Sequence, residues 1–316
     1  MKNISYCSGL RLKASIISGI NWFSLFKNEV DAINVFPVPD SDTGKNMYQT
    51  FSSILEYLKK ANWRSASDVA EKAALGAVMG ARGCSGVILS GFFRGFAEAI
   101  GNKIWLSGRD LALCFKSASD KAYQTVVKPK EGTILTVAKD MANVCLKATK
   151  RDGSLKTVMK TAYGAAQKSL KATPKKLKIL SRYKVVDSGG QGLVYFLEGM
   201  ERYNFGRSIK KAAKGKVFLI RPTFKIEVPI PNKFCTEFIL RSNKLRRESL
   251  EDILTKLGDS LIISQIQGFQ GGVMIYKIHI HSKEPRQILN RLSKVGVVSE
   301  IKVDDMQHQH LEAKGL

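Results

Sequence analysis

The sequence predicts a chain of two unlike parts, a helical region followed by a smaller α+β domain, and three observations carry that prediction. The 316 residues exceed what one compact domain usually holds, since domains cluster near ~100–200 residues. From Leu10 to about Tyr203 apolar residues recur at helical spacing, as in Ala70, Ala73, Ala74, Ala77 and Val78, or Leu155, Val158, Met159, Tyr163 and Ala166. Beyond the basic stretch Arg207–Lys216 the pattern changes to short β-rich runs. These are KVFLI at 216–220, FKIEVPI at 224–230, FCTEFIL at 234–240, GVMIYKIHIH at 272–281 and EIKVDD at 300–305, with helices expected near 247–258 and 285–294. The predicted division is 1–205 helical, 206–222 linker and 223–316 α+β, the last with helices on one face of its sheet.

Composition narrows the class. With 44% hydrophobic and 25% charged residues and 8 prolines, nothing suggests disorder, collagen or a membrane bundle. The most apolar window, Gly86 to Trp105, contains Arg94, Glu98 and Lys103, whereas a span needs ~20 residues with few or no charges. The first residues, MKNISYCSGLRLK, lack the features of a secretory signal, so a cytoplasmic location is expected. Five cysteines without a CxxC pair do not read as a disulfide framework. The formal charge is +24, and between Lys147 and Lys184 twelve Lys or Arg face one acid, Asp152. With only Tyr163 and Tyr183 interleaved, that stretch reads as a solvated helical face, and nucleic acid is not the expected partner.

In the helical part the chemistry should lie in the Gly/Pro/Asp-rich breaks between helices. The first, FPVPDSDTGKN at 36–46, carries Asp40 and Asp42 on a turn stiffened by Pro37 and Pro39. Two carboxylates on one turn suit Mg²⁺, which takes a few carboxylates, water and phosphate oxygens. Thr43, Gly44, Lys45 and Asn46 would then offer backbone N–H groups to a phosphate at a helix start. The alternative is that Asp and Thr here are ordinary helix caps. No Walker motif is present. Three further breaks fit the same scheme: ARGCSG at 81–86 with Cys84 and Ser85, KPKEGT at 128–133 with Thr133, and VVDSGGQG at 185–192 with Asp187, Ser188 and Gly189.

All four histidines fall in the second part, as His279-Ile280-His281 and His308-Gln309-His310. Residues i and i+2 of a strand share a face, so His279 and His281 can point at one ion, with Cys235 supplying a thiolate from another strand. Read alone, an H-x-H is more often a pair of ordinary strand histidines.

Taken in order, NVFPVPDSDTGKNM, MGARGCSGVILSGFFRGF, VKPKEGTILTVAKD and VVDSGGQGLVYFLEGM resemble the DhaL-type domain of dihydroxyacetone kinases, and still more the ATP-binding component of bacterial fatty acid kinase. FCTEFIL, KIHIHS and IKVDDMQHQH resemble the middle domain of that component. The resemblance implies an eight-helix antiparallel barrel with ATP or ADP and two Mg²⁺ at one end. Asp40 and Asp42 would hold magnesium, completed by Asn34 or Asp31, while Thr43 to Asn46, Cys84, Ser85, Thr133 and Asp187 to Gly189 line the nucleotide. It also implies one Zn²⁺ on Cys235, His279 and His281, with His310 as fourth ligand. Lying in a different domain from the nucleotide loops, that ion is expected to serve structure or assembly.

Three departures stand out. The usual D-G-D-T-G-T-N has Ser41 and Lys45 in place of a glycine and a threonine, and the usual R-G-N-S-G has Cys84 in place of the asparagine. Members with the lipid function continue into a third domain that docks a fatty-acid-carrying partner, and the resemblance stops before it. The expected function is ATP-dependent phosphorylation of a fatty acid carboxylate presented by a carrier protein, by a chain that forms a homodimer. The alternatives are a component of a dihydroxyacetone-type kinase, with a small hydroxylated substrate, or a nucleotide-binding scaffold with weakened catalysis.

Overall fold

A computed structural model describes residues 6–207, 230–267 and 272–313. In chain order the helical part contains β1 (Cys7–Ser8), α1 (Gly9–Ser24), α2 (Lys27–Ala32), α3 (Thr43–Lys59), α4 (Ala66–Met79), α5 (Gly83–Ile100), β2 (Trp105–Leu106), α6 (Gly108–Thr125), α7 (Ile134–Ala148), α8 (Leu155–Lys176), α9 (Lys178–Tyr183) and α10 (Ser188–Asn204). Apart from the short α2 and α9 these are eight long helices, as the resemblance implies. Neighbours run α3, α4, α5, α6, α7, α8, α10, α1 and back to α3, which closes the barrel. Sequence sets where several begin: Ser8, Ser65, Ser107, Ser154 and Asp187 each accept a backbone N–H from the first turn of the helix they precede. Buried aromatics fill the interior, with Phe51 stacked on Phe196 at 5.1 Å between ring centres and Phe23 and Phe93 edge-on to this pair.

The basic stretch behaves as its spacing predicts. Along α8, Val158, Met159, Ala162, Ala166 and Leu170 are buried, while Lys160, Lys168, Lys171 and Lys175 face solvent. No helix among the described residues is long and apolar enough to cross a membrane.

The second part runs β3 (Phe234–Ser242), α11 (Arg247–Leu254), β4 (Asp259–Gln267), β5 (Met274–Ser282), α12 (Pro285–Leu292), β6 (Val297–Asp305) and α13 (Met306–Ala313). Its antiparallel sheet has the order β4-β5-β3-β6, the ferredoxin-like βαββαβ arrangement with α13 appended. The sequence reading has no strand at 259–267, and yet β4 forms there. Its SLIIS run lacks strict alternation because Leu261, Ile262 and Ile263 are all buried: Leu261 and Ile263 join the small domain's own core, and Ile262 joins the barrel's. The predicted linker 206–222, beyond Gly206 and Arg207, and the runs at 216–220 and 224–229 lie outside the described residues.

Strand alternation divides the sheet into two faces. Phe238, Leu240, Tyr276, Ile278 and Ile280 pack with Leu250, Leu254, Ile288 and Leu292 of α11 and α12. Cys235, Glu237, Lys277, His279 and His281 occupy the opposite face and are buried as well. The barrel covers them. Val126 bridges Ile262, the Val127 amide donates to Leu261 O at 3.4 Å, and Arg247 reaches the carbonyls of Gln124, Thr125 and Ile263.

Candidate active site

Two adjoining cavities lie where the barrel meets this polar face, and they share Pro37, Cys84 and Ser85. The larger, about 370 Å³, is bounded by Cys84, Ser85, Thr133, Asp187, Ser188 and Gly189, and on its far side by Leu261 and Ile262 of β4. Three helices begin at this cavity. Gly83, Ile134 and Ser188 open α5, α7 and α10, and the starts of α5 and α10 are so close that a methyl on Gly189 would lie 3.1 Å from Ser85 Oγ. Helix dipoles at three converging starts favour an anion, and Lys128 and Lys130 add positive charge to the lining. Asp187 ties two of these starts together, accepting from Gly190 N at 2.7 Å and from the Ile134 amide. Complete burial pushes its carboxyl up to about 7 against those two donors.

The smaller cavity, about 40 Å³, gathers Asn34, Asp40, Asp42, Thr43 and Asn46 from the barrel and Cys235, Glu237, His279, His281, Lys302 and Asp304 from the sheet. Asn34 Nδ2 donates to Asp40 Oδ1 at 2.6 Å, and Ser188 Oγ lies 3.3 Å from Thr43 Oγ1 and 3.5 Å from Asn34 Oδ1. Burial, then the adjacent Asp42, holds the Asp40 carboxyl well above the usual carboxylate range. A half-buried carboxylate pair on one turn is a donor set that fits a divalent cation.

Gly44 and Lys45 line neither cavity. Their amides donate to Asp31 Oδ1 at 2.6 and 3.1 Å, and the Asn46 amide bonds Asp42 O at 2.8 Å. Asp31 thus occupies the helix start that the sequence offers to a phosphate, and burial raises its carboxyl to about 6 against the two amide bonds. The Lys45 side chain is exposed. Ser41 takes φ +54°, a left-handed conformation that explains why glycine is usual there.

The imidazole pair is built by register. Cys235 pairs with His281 and Glu237 with His279 across β3 and β5, which sets all four on the face toward the barrel. His279 Nε2 lies 3.1 Å from His281 Nε2 and 3.0 Å from Cys84 Sγ, whereas its Nδ1 faces Glu237 Oε1 at 3.2 Å and Cys235 Sγ at 3.6 Å. Two sets of three ligand atoms therefore exist among the described residues: Cys84 with His279 and His281, and Cys235 with Glu237 and His279. Sulfur and imidazole donors in this number suit Zn²⁺. His310 belongs to neither, its Nδ1 lying 2.8 Å from Pro39 O. Glu237 is absent from the sequence reading, although its i+2 spacing from Cys235 put it on the same face. It also accepts from the Gly83 amide and sits 3.8 Å from Arg82 Nη1. Burial alone would raise its carboxyl, but the hydrogen bond and charge of His279 prevail and bring it to about 2. The division by domain does not hold in space: the sulfur and imidazole groups adjoin the Asp40–Asp42 turn.

Residues 37–202 match the DAK2 domain, and residues 231–313 match the FakA-like middle domain of fatty acid kinase. The chain is 34% identical over 320 residues to uncharacterized protein SH1689 of Staphylococcus haemolyticus and 33% identical over 321 residues to protein YloV of Bacillus subtilis. Each alignment covers 98% of this chain and 57% of the relative, so the chain spans a little over half the length of these curated relatives. Among solved structures, the dihydroxyacetone kinase of C. freundii in its native form aligns with a TM-score of 0.45 at 15% identity, over 60% of this chain and 34% of that one. With the DAK2 domain over more than half of its residues and the middle domain behind it, the chain belongs to the DAK2 kinase family, in the arrangement of FakA-like fatty acid kinase proteins.

Proposed function

We propose that the chain is the nucleotide-binding part of an ATP-dependent phosphotransferase whose acceptor is a fatty acid carboxylate presented by a carrier protein. The observation that carries this reading is the meeting of three helix starts with the Asp40–Asp42 turn at adjoining cavities. The larger cavity takes the nucleoside and its inner phosphates, with Ser85, Thr133 and those first-turn amides of α5, α7 and α10 that Glu237 and Asp187 do not already hold as donors. Asp40, Asp42 and Asn34 hold the metal ions at the terminal phosphate. Magnesium bound there supplies neutralisation of phosphate oxygen charge, which is most of what phosphoryl transfer requires of its site.

The acceptor class is supported by the similarity of residues 231–313 to the fatty acid kinase middle domain. A carboxylate oxygen attacks the terminal phosphorus, the bond to the bridging oxygen breaks, and an acyl phosphate and ADP result. No proton has to be removed from the acceptor. A hydroxyl acceptor, as in dihydroxyacetone-type kinases, would need a base, and Asp40 or His281 in the smaller cavity could serve, so the middle domain is what favours the carboxylate.

The test is calorimetry of Mg-ATP binding to the wild type and to Asp40→Ala/Asp42→Ala, with phosphate transfer to an acyl-loaded carrier protein followed in parallel. Metal-dependent binding lost in the double variant, with acyl phosphate formed by the wild type, is the expected result. Binding without transfer to any acyl carrier, but with transfer to dihydroxyacetone, moves the acceptor to the small hydroxylated class. Binding with no transfer at all leaves a scaffold, and no binding removes the site assignment.

A further inference from the structure

A third cavity, about 270 Å³, lies at the seam between barrel and sheet and shares no lining residue with the other two. Arg94 of α5, Lys121 of α6, Arg247 of α11 and Ser264 of β4 form its wall, which holds three cations and, among the described residues, no acid. Two carboxylates outside the lining meet these cations. Glu98 divides its oxygens between Arg94 Nε at 2.8 Å and Lys121 Nζ at 2.9 Å, and Glu251 stands 2.7 Å from Arg247 Nε. One positive charge is left over where all three basic side chains are largely buried. Burial lowers the Arg94 guanidinium below its usual range; Glu98 opposes this, and the nearby charge of Arg247 adds to it. A second observation is independent of charge. The Ser264 hydroxyl is buried, the residue being 2% exposed, and has no hydrogen-bond partner among the described residues. Strand alternation sets Ser264 on the face of Ile262, which packs into the barrel's core, so this hydroxyl points toward α5 and α6. A buried hydroxyl without a partner is unfavourable, and an oxyanion in the cavity would accept from it and neutralise the spare charge.

We infer that this cavity binds the phosphate group of a small molecule, inorganic phosphate or a phosphate monoester, with Arg94, Lys121 and the Ser264 hydroxyl as its donors. Glu98, shared between two cations, cannot fill the five donors of the Arg94 guanidinium, whose planar fork matches phosphate oxygens. Arg247 contributes charge alone, since its nitrogens already engage Glu251 and the carbonyls of Ile263, Gln124 and Thr125. A wall of cations without an acid favours the higher charge of phosphate over that of a carboxylate. The volume, several times the ~30 Å³ share of one water, admits a short organic group beside the phosphate. The anion ties α5 and α6 to β4, on the same seam that sets Leu261 and Ile262 against the larger cavity. The inference does not depend on phosphate transfer.

The experiment titrates the full chain by calorimetry with inorganic phosphate and with glycerol phosphate, a monoester, while hydrogen exchange locates the binding. The variants are Ser264→Ala, Arg94→Gln and, as a control for charge lost elsewhere, Lys160→Gln on the solvent face of α8. Saturable binding is expected in the wild type, with slowed exchange of the Val127 amide, which bonds Leu261 O across the seam. Ser264→Ala and Arg94→Gln should each weaken binding at least ~10-fold, and Lys160→Gln should leave it unchanged. Melts of phosphate-free Ser264→Ala protein separate loss of the site from loss of the fold, since removing an unpartnered hydroxyl should not lower its melting temperature. The tighter of the two ligands identifies the source, free phosphate or monoester. Equal binding by the wild type and both seam variants places the anion elsewhere and overturns the proposal, as does a wild type that binds neither ligand. Succinate bound in preference to both overturns the ligand class.

Discussion

The two faces of the small sheet are equally buried and chemically opposite. Tyr276, Ile278 and Ile280 meet the leucines and isoleucine of α11 and α12, while Lys277, His279 and His281, alternating with them on the same strand, meet the end of the barrel. The apolar face needs no ligand to be stable, since about 25 cal/mol per Å² of apolar surface removed from water suffices. The polar face pays nothing back in that way: Lys277 Nζ and Glu237 Oε2 have no hydrogen-bond partner among the described residues. Burial lowers the Lys277 ammonium to about 8 even though Glu237 opposes it. A face that buries charge at such cost is a face kept for chemistry.

The sharpest contrast comes from a substitution on the apolar face. Ile278→Ala should destabilise the small domain by about 2–5 kcal/mol in denaturant unfolding, with Mg-ATP binding by the still-folded fraction unchanged. An equal loss of nucleotide affinity in that fraction would mean that the faces are not separable.

Asp187→Asn tests the barrel's side of the interface. Its folded carboxyl titrates near 7 against an ordinary 3.8, so its favourable contribution is full below about pH 4 and is lost as pH rises through 7. The asparagine keeps the helix cap and removes the titration. In metal-free protein it should be more stable than the wild type at pH 8 by roughly 2–4 kcal/mol, with no such gain at pH 4. Identical pH profiles in thermal melts would refute it.

Glu237→Gln should give the opposite slope. The depressed carboxyl contributes stability that is full above about 4.5 and lost as pH falls toward 2. Without metal, the variant should lose about 2–3 kcal/mol at pH 7 and much less at pH 3. A uniform loss at both values would assign the residue a packing role instead.

The smallest effect is expected at Ser41, on the Asp40–Asp42 turn facing the sheet. Ser41→Gly relieves a left-handed serine but frees the unfolded chain, so stability should change by less than about 1 kcal/mol. Its use is to compare magnesium affinity before and after the turn relaxes. A change of more than tenfold would show that the serine's conformation sets the metal geometry.

Much of this is legible in the sequence alone. Helical periodicity marks the barrel, the glycine-rich breaks fall at α5, α7 and α10, and the period of two in KIHIH separates imidazoles from isoleucines. What periodicity cannot report is which loop meets which strand. Cys84 and His279 are 195 positions apart, and nothing in either neighbourhood signals the other. The capture of the Gly44 and Lys45 amides by Asp31 is hidden for the same reason, since it depends on the angle at which α2 meets α3. Glu237 was within reach, because a residue two places from a candidate ligand on a strand shares its face.

The β4 wall carries a consequence for kinetics. Leu261 and Ile262 close one side of the larger cavity and are pinned to the barrel by the Val126 bridge and the Val127 amide. If nucleotide leaves past that wall, its residence time is governed by how often the bridge breaks and not by how well the phosphates are held. Weakening Arg247, which fastens the same seam, would then quicken release and loading alike and leave the equilibrium between them almost where it was.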